Sequence, residues 1–269
     1  MDAHSLRHLY TEFERRNPQI HYMRREDAPP LVRYVNERTP RSFIPYSQLN
    51  AAIAEETILR EIRYFKMIGH QFEWKVYDYD APTDLLERLR AHGFAIEAEE
   101  AVLVLALDPF PVVLEHAPTH DIRQVSSPED VWQILNTVQN PVFGDPADNW
   151  LNEWISNEIK AFPDHTAFFA AYVDEQPVSA AWIRYSTDAS NPFAGLYGGA
   201  TLEAFRGRGI YRALVAARAR HAIARGVQYL VVDASPFSRP ILEKVGFVRI
   251  ASAWEATKTA DNVVPPVEK

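Results

Sequence analysis

The stretch GLYGGATLEAFRGRGIYRALVAARARHAIARG, Gly195 to Gly226, decides how this chain folds. Its opening residues, with Phe193 and Ala194 before them, read as a strand that ends near Thr201. A short loop follows, and Arg206-Gly207-Arg208-Gly209 opens a long Ala/Arg helix closed by Gly226. The first turn of a helix leaves several N–H groups without backbone partners, and the helix dipole puts partial positive charge there. Glycines at 207 and 209 remove the Cβ atoms that would hold a phosphate off those N–H groups. Arg206, Arg208 and Arg212 add attraction for a polyanion. The segment therefore predicts a cradle for a diphosphate carried by a nucleotide-like cofactor. It is not a Rossmann site, because Arg212 stands where Gly-x-Gly-x-x-Gly needs its third glycine. No Gly-Lys-Ser/Thr exists, so it is not a P-loop either.

Working outward, Ala167–Val173 and Val178–Tyr185 read as strands before the cradle, and Val227–Asp233 as a strand after its helix. Ser238–Lys244 reads as a short helix and Phe247–Trp254 as a last strand. Upstream, Asp121–Val125 is a short strand, Pro128–Val138 a helix with Pro128 in its first turn, and Asn149–Ile159 a second helix. This alternation predicts an α/β (α+β) fold: a mixed, partly parallel central sheet flanked by helices.

The N-terminal half holds only Gly69 and Gly93. Ala54, Ile58, Ile62 and Phe65 recur at helical spacing, Phe72–Tyr77 reads as a strand, Asp84–Ala91 as a helix, and AVLVLAL, within Phe94–Leu107, as another strand. Glu73–Phe94 and Gln228–Phe247 share one plan: an aromatic-led strand, an Asp, a Pro, a Leu-Glu-basic helix and a closing Gly-Phe. That faint repeat points to duplication of one domain. The proline-rich segment Pro109–Thr119 resists helix and central strand, so the expected domains are 1–115 and 119–256, with 257–269 a flexible tail.

Composition fits this picture. The chain has 269 residues, 47% apolar, enough for a large core in one big domain or two medium ones. A net charge of −8 disfavours non-specific nucleic-acid binding. Cysteine is absent, which excludes disulfides, thiolate zinc sites and a cysteine nucleophile. The N-terminus has no signal-peptide core and no apolar run is long enough to cross a bilayer, so a cytoplasmic protein without a membrane partner is expected. His4 and His8 are four apart but no carboxylate motif accompanies them, and no metal is expected.

Arg-Gly-Arg-Gly-Ile-Tyr (206–211) resembles the Arg/Gln-x-x-Gly-x-Gly/Ala signature of the GCN5-related N-acetyltransferase (GNAT) superfamily. The resemblance runs from Asp121 to Glu255 and takes in ILEKVGF (241–247), which looks like the family's closing helix-to-strand unit. It implies acetyl-CoA as co-substrate, its pyrophosphate on the N–H groups of Arg206, Gly207, Arg208, Gly209, Ile210 and Tyr211, with Arg212 close by. It places the pantetheine arm along Phe193–Thr201, beside Ala200, Thr201 and Leu202, and a strand bulge that admits the thioester. Gly198-Gly199 is the natural place for that bulge, with an N–H at Gly199 or Ala200 aimed at the thioester carbonyl. The implied reaction is direct attack of an amine on acetyl-CoA in a ternary complex; the other reading is a non-catalytic acyl-CoA sensor or interaction module.

Two positions depart from the pattern. Tyr211 replaces the last Gly or Ala of the signature, and its ring, projecting outward, is expected to narrow the space beside the phosphate. Leu242 stands where many relatives carry a tyrosine that protonates the leaving thiolate. Ser238 either touches pantetheine or caps the helix that follows it. For the proton that the attacking amine loses, Tyr197 is a candidate to orient a water, and Asp233 an alternative or a loop-bonding residue. Phe143, Trp150, Trp154, Trp182 and Tyr185 form an aromatic set that either walls a pocket for an apolar or cationic amine, small molecule or peptide, or packs helices on the sheet. Arg218, Arg220 and Arg225 are expected to solvate the long helix, or in part to meet a cofactor phosphate. The N-terminal half resembles a degenerate copy without a glycine loop and is expected to be structural. The sequence does not set the oligomeric state or name the acceptor.

Overall fold

A computed structural model of the protein describes residues 2–144 and 149–259. The chain folds into two compact units: unit 1 takes the chain up to Val102 and the segment from Ile250 onward, unit 2 takes Leu103–Arg249. In chain order the elements are α1 (Ala3–Tyr10), a π-helical turn (Thr11–Arg16), β1 (Met23–Ala28), β2 (Leu31–Asn36), β3 (Arg41–Ser47), α2 (Ala54–Met67), β4 (Gln71–Tyr77), α3 (Leu85–Ala91), β5 (Ala95–Ile96) and β6 (Glu100–Ala106). There follow α4 (Val112–Glu115), β7 (Asp121–Val125), α5 (Pro128–Ile134), a second π-helical turn (Leu135–Gln139), α6 (Asn140–Phe143), α7 (Trp150–Ala161), β8 (Thr166–Val173), β9 (Gln176–Tyr185), β10 (Phe193–Thr201), a 3-10 turn (Glu203–Phe205), α8 (Ile210–Ala224), β11 (Tyr229–Ala234), α9 (Arg239–Val245) and β12 (Val248–Lys258).

In unit 1, β1, β2 and β3 pair antiparallel, β3 and β4 run parallel, and β12 closes on β4 in antiparallel register from Ala253↔Tyr77 to Lys258↔Phe72. The apolar stripe of α2 (Ala54, Ile58, Phe65) packs on Phe72 and Trp74 of β4. β3 and β4 pair only from Arg41↔Gln71 to Ile44↔Trp74. Beyond that point Arg15 bridges them: its Nε donates to the Pro45 carbonyl at 3.3 Å, and its Nη2 to both Asp80 oxygens at 3.0 and 2.9 Å. The guanidinium lies 3.7 Å from the Tyr77 ring centroid and 5.0 Å from that of Tyr79, so this end of the unit is filled by a buried ion pair in a tyrosine cage.

In unit 2, β7, β8, β9 and β10 pair antiparallel, and β10 runs parallel to β11. One face carries α5, the second π-helical turn and α7 over Val131, Leu135, Ile155, Phe168 and Trp182. The other carries α8, where His221 packs on Phe169 and Tyr185. Both units are thus mixed, partly parallel sheets flanked by helices.

The repeat seen in the sequence has a shared backbone cause. The Phe94 N–H donates to the Leu89 carbonyl at 3.1 Å, and the Phe247 N–H to the Leu242 carbonyl at 3.1 Å, across Gly93 and Gly246 at φ +78° and +112°. Each Gly-Phe therefore ends its helix in a Schellman turn stapled by a buried Leu and Phe. The last strand departs from the expected division: β12 follows α9 in sequence but pairs with β4 in unit 1. Its alternating pattern marks a strand without saying which edge it joins. Of the expected tail, Thr257 and Lys258 complete β12, and 260–269 lie outside the described residues. The helix expected over Pro128–Val138 is α5 up to Ile134 and then the π-helical turn, which ends on Gln139.

Candidate active site

The site is built where β10 leaves β11. The two strands pair only at Phe193↔Tyr229, Ala194↔Leu230 and Gly195↔Val231, so the C-terminal half of β10 has no parallel partner in that register. On its other side β10 stays with β9, but the register slips between Tyr197↔Trp182 and Ala200↔Ala180. The extra residue is the expected bulge at Gly198-Gly199, with Gly198 at φ +60°. A Cβ on Gly198 would stand 1.8 Å from Trp182 Cζ3, and one on Gly199 would stand 2.5 Å from Tyr211 Cε2. Both glycines are therefore dictated by aromatic rings lying against the backbone.

One buried side chain fixes the bulge. Gln139 Nε2 donates to the Gly198 carbonyl and lies 3.4 Å from the Ala180 carbonyl, while its Oε1 has no hydrogen-bond partner. Ser179 Oγ donates to the Ala200 carbonyl at 2.5 Å and meets Thr201 Oγ1 at 2.7 Å, tying the strand below the bulge.

The loop after β10 has the predicted form. Leu202 leads into the 3-10 turn, Gly207 and Gly209 take φ +75° and +78°, and Gly209 caps α8 with no side chain bonded to the first-turn N–H groups. Arg206 and Arg208 are exposed, and each also braces the loop: Arg206 Nε donates to the Thr201 carbonyl at 3.0 Å, and Arg208 Nη2 to the Ala204 carbonyl at 3.0 Å. His120 Nε2 donates to the Arg208 carbonyl at 3.0 Å. A Cβ at Gly207 would meet nothing within 4 Å, whereas one at Gly209 would stand 2.7 Å from Pro118 Cγ. Ile210 is buried, and Arg212 keeps a buried Nε without a partner. Uncapped amides, open space above Gly207 and flanking arginines suit a phosphate-bearing ligand.

Tyr211 differs from expectation. Its ring does not project outward beside the loop; it turns onto the sheet against Gly199, because residues 211, 214 and 218 share the helix face that meets the sheet. Burial pushes its phenol up from the usual tyrosine range, and the Arg218 cation pulls it back. Arg218 also differs. It does not solvate α8 but is 1% exposed, bonded through Nε to the Leu214 carbonyl and through Nη1 to the Trp182 carbonyl, both at 3.2 Å. Arg220 and Arg225 donate to the Leu114 and Asp164 carbonyls.

The aromatic set divides. Trp150 and Trp154 meet edge to face at 6.1 Å, and Trp182 stacks on Phe168 at 6.0 Å on the same face of the sheet. Tyr185 lies on the opposite face, its hydroxyl 2.6 Å from His221 Nδ1. Phe143 is exposed at the end of α6. Tyr197 is 42% exposed, its ring 5.0 Å from the Arg184 guanidinium. Arg184 is forked onto Glu158, whose oxygens also accept from Trp154 Nε1 at 3.0 Å and Thr166 Oγ1 at 2.8 Å. This Trp154–Glu158–Arg184–Tyr197 chain escaped the sequence reading, since its members are spread over three elements.

On the β11 side, Asp233 is exposed at the end of the strand. Ser238 stands at the N-cap of α9, but its side chain bonds no N–H of the helix; its Oγ donates to the Ser235 carbonyl at 3.4 Å. Leu242 is fully buried as the staple of Phe247, so no hydroxyl stands there. Gln139 was the other residue missed, and Arg218 was named without its burial. A lone glutamine within ILNTVQNPVF is a legible signal, whereas Arg218 looks like its neighbours Arg212 and Arg220 unless the helix is phased on Leu214. Among the described residues no cluster of three or more His, Asp or Glu side chains is placed to hold a metal ion.

Residues 138–259 match the family model described as an acetyltransferase (GNAT) domain. Among solved structures, the chain is similar to a GCN5-related N-acetyltransferase from Kribbella flavida, with 16% identity, a TM-score of 0.67 and 94% of each chain covered. It is also similar to a functionally unknown conserved protein from Staphylococcus epidermidis, with 17% identity, a TM-score of 0.65, and 88% of this chain and 94% of that one covered. A tandem GNAT protein from the clavulanic acid biosynthesis pathway is similar at 11% identity and a TM-score of 0.61, over 87% of this chain and 79% of that one. At these identities the likeness is one of fold. No curated protein matches the sequence.

Proposed function

We propose, from the acetyltransferase (GNAT) domain matched at residues 138–259, that unit 2 is an acyl-CoA-dependent N-acyltransferase with acetyl-CoA as its donor and an amine as its acceptor. The observation that carries this reading is the coincidence, on one strand–loop–helix, of an uncapped glycine-rich helix start and a clamped bulge beside an unpaired strand edge. The amides of Arg206–Tyr211 would hold the pyrophosphate, and Ala200, Thr201 and Leu202 would flank the pantetheine arm. Acetyl-CoA supplies an acyl group already activated as a thioester. A bulge N–H at Gly199 or Ala200 stabilises the carbonyl oxygen as negative charge grows on it; such a preorganised donor is worth roughly 10²–10³ in rate. Tyr197, half-exposed beside the bulge, orients the incoming amine or the water that takes its proton. Phe143, Trp150 and Trp154 wall the acceptor side. Tyr185, on the other face, is assigned no acceptor contact.

The test is coenzyme A binding by calorimetry, followed by free-thiol release from acetyl-CoA over an amine panel. Turnover with at least one amine is the expected result. Binding without turnover for any amine would make unit 2 an acyl-CoA-binding module, and absence of binding would remove the loop from the reading.

A further inference from the structure

Arg218 is an anomaly of this core. A guanidinium keeps its charge in proteins, and burying one without a carboxylate is costly. Arg218 is 1% exposed, its hydrogen bonds run to two backbone carbonyls, and its Nη2 has no partner at all. The titratable groups facing it are the phenols of Tyr211 and Tyr185, the latter already bonded to His221 and overlain by Arg225 at 4.2 Å. Tyr211 is the one not so engaged, and it reaches from the first turn of α8 to the bulge. A Cβ on Gly199 would lie 3.3 Å from its Oη. The bulge is thus gripped from two sides, by Gln139 at the Gly198 carbonyl and by the Tyr211 ring at Gly199, with an unneutralised cation behind the phenol.

We propose that Tyr211 and Arg218 form one proton-donating unit: the Tyr211 hydroxyl protonates the departing sulfur of the thioester, and Arg218 holds the phenolate that remains. This inference rests on the acyl-transfer reading of the same site. A thioester whose oxygen met the bulge N–H would carry its sulfur one bond from that carbon, beside the strand residue Gly199 on which the Tyr211 hydroxyl leans. As the carbon–sulfur bond breaks, its electron pair stays on sulfur; the Tyr211 O–H bond breaks, an S–H bond forms, and the charge moves to the phenol oxygen. The proton that the acceptor nitrogen sheds on becoming an amide restores the phenol, directly or through water, so the step balances. Leu242 supplies no proton itself, since its side chain is apolar and stapled in the core, so the sulfur leaves either unassisted or with a proton from another hydroxyl. An ordinary tyrosine, with pKa about 10, gives a proton to a thiolate of pKa about 8.5 only uphill. The positive charge of Arg218 works against that difference, and against the upward push of burial on Tyr211.

The experiment follows the ionisation of the thiol of bound coenzyme A through its ultraviolet thiolate absorbance, in the wild type, Tyr211→Phe and Arg218→Met, with turnover measured beside it. In the wild type the bound thiol ionises about one pH unit below the free thiol near 8.5. In Tyr211→Phe it returns to the free value, and kcat falls roughly 10²-fold while KM for acetyl-CoA stays within about twofold. Arg218→Met, if it folds, moves the thiol the same way. Tyr211→Phe removes one hydroxyl from a half-buried ring and keeps the test alive whatever Arg218→Met does. If coenzyme A binds and Tyr211→Phe changes neither the thiol ionisation nor kcat, the unit is refuted and the acyl-transfer reading stands. If the wild type does not bind coenzyme A, that reading falls and takes this one with it.

Discussion

Gln139 Nε2 donates to the carbonyl of Gly198, so a side chain from a π-helical turn holds the left-handed residue of the β10 bulge. The turn and the bulge are thereby one device: the wider winding brings residue 139 over the strand, and the bulge turns its carbonyl toward it. Gln139→Met keeps the volume and removes the donor. It is expected to cost about 1–3 kcal/mol in urea unfolding, the price of leaving a buried carbonyl unpaired. It should also weaken coenzyme A binding, read by calorimetry, because the bulge N–H loses its fixed direction. Gln139→Glu, which sets a carboxylate against the same two carbonyls, should cost more than Gln139→Met.

The two glycine types of the site should behave differently. Gly198 has φ +60° and Trp182 Cζ3 only 1.8 Å from where a Cβ would sit; Gly207 has φ +75° and open space. Gly207→Ala carries only the left-handed penalty of about 1–2 kcal/mol. Gly198→Ala adds a ring clash and should exceed it by about 2 kcal/mol or more, in the range of core overpacking. The double variant Gly198→Ala/Trp182→Ala should be less destabilised than the sum of its parts, which a double-mutant cycle in urea measures. No coupling between the two sites would mean that the ring does not rest on the bulge.

At the anion cradle the informative variant is Gly207→Glu, not Gly209→Glu. Gly209 is hemmed by Pro118 Cγ at 2.7 Å from an added Cβ, so any side chain there disturbs the fold as well as the ligand. A Cβ at 207 meets no protein atom within 4 Å, so a glutamate there adds negative charge beside the same amides without a clash at its Cβ. Coenzyme A affinity is expected to fall by at least about tenfold, with a loss of stability no larger than that of Gly207→Ala. An unchanged affinity would place the phosphates elsewhere.

Much of this was legible in the residues. Gly198-Gly199 located the bulge that the family resemblance implies, and Arg206–Gly209 marked the helix start, because Gly198, Gly207 and Gly209 take left-handed backbone conformations that suit glycine. The Gly-Phe repeat was legible for the same reason: Gly93 and Gly246 end their helices in left-handed residues. What was not legible depends on which neighbour an element meets. The alternation of β12 marks a strand but not its pairing with β4. Tyr211 was expected to point outward, and only the phase of α8 against the sheet turns it onto Gly199. Arg218 reads as a surface arginine until Leu214 and Ala219 are seen to be buried on either side of it.

Unit 1 offers a stability test independent of any ligand. Arg15 and Asp80 are 1% and 5% exposed and meet at 2.9 Å, where β3 and β4 part. Burial raises the Asp80 carboxyl, and the Arg15 cation works to lower it. Arg15→Met leaves that carboxylate buried and alone, an expected loss of about 3–5 kcal/mol in urea unfolding. Replacing both, as Arg15→Met/Asp80→Leu, should recover much of the loss.

Acid should destabilise the fold through its histidines. Burial, and then the nearby Arg225 cation, hold His221 below the usual imidazole range, and burial alone does so for His70. His221 Nδ1 lies 2.6 Å from the Tyr185 hydroxyl, and His70 Nδ1 lies 2.8 Å from Ser42 Oγ, so each ring is held in the fold by a hydrogen bond to a hydroxyl. The unfolded chain, with ordinary imidazoles near pH 6.5, binds these protons first. Their contribution to stability is therefore complete above about pH 6.5 and is lost as pH falls through the depressed native values. Urea midpoints should drop between pH 7 and pH 5, and His221→Gln should flatten that slope while lowering stability at pH 7. A midpoint that rises over the same interval, or a slope that His221→Gln leaves untouched, would mean that the ring is held protonated, which the Arg225 guanidinium stacked on Tyr185 at 4.2 Å opposes.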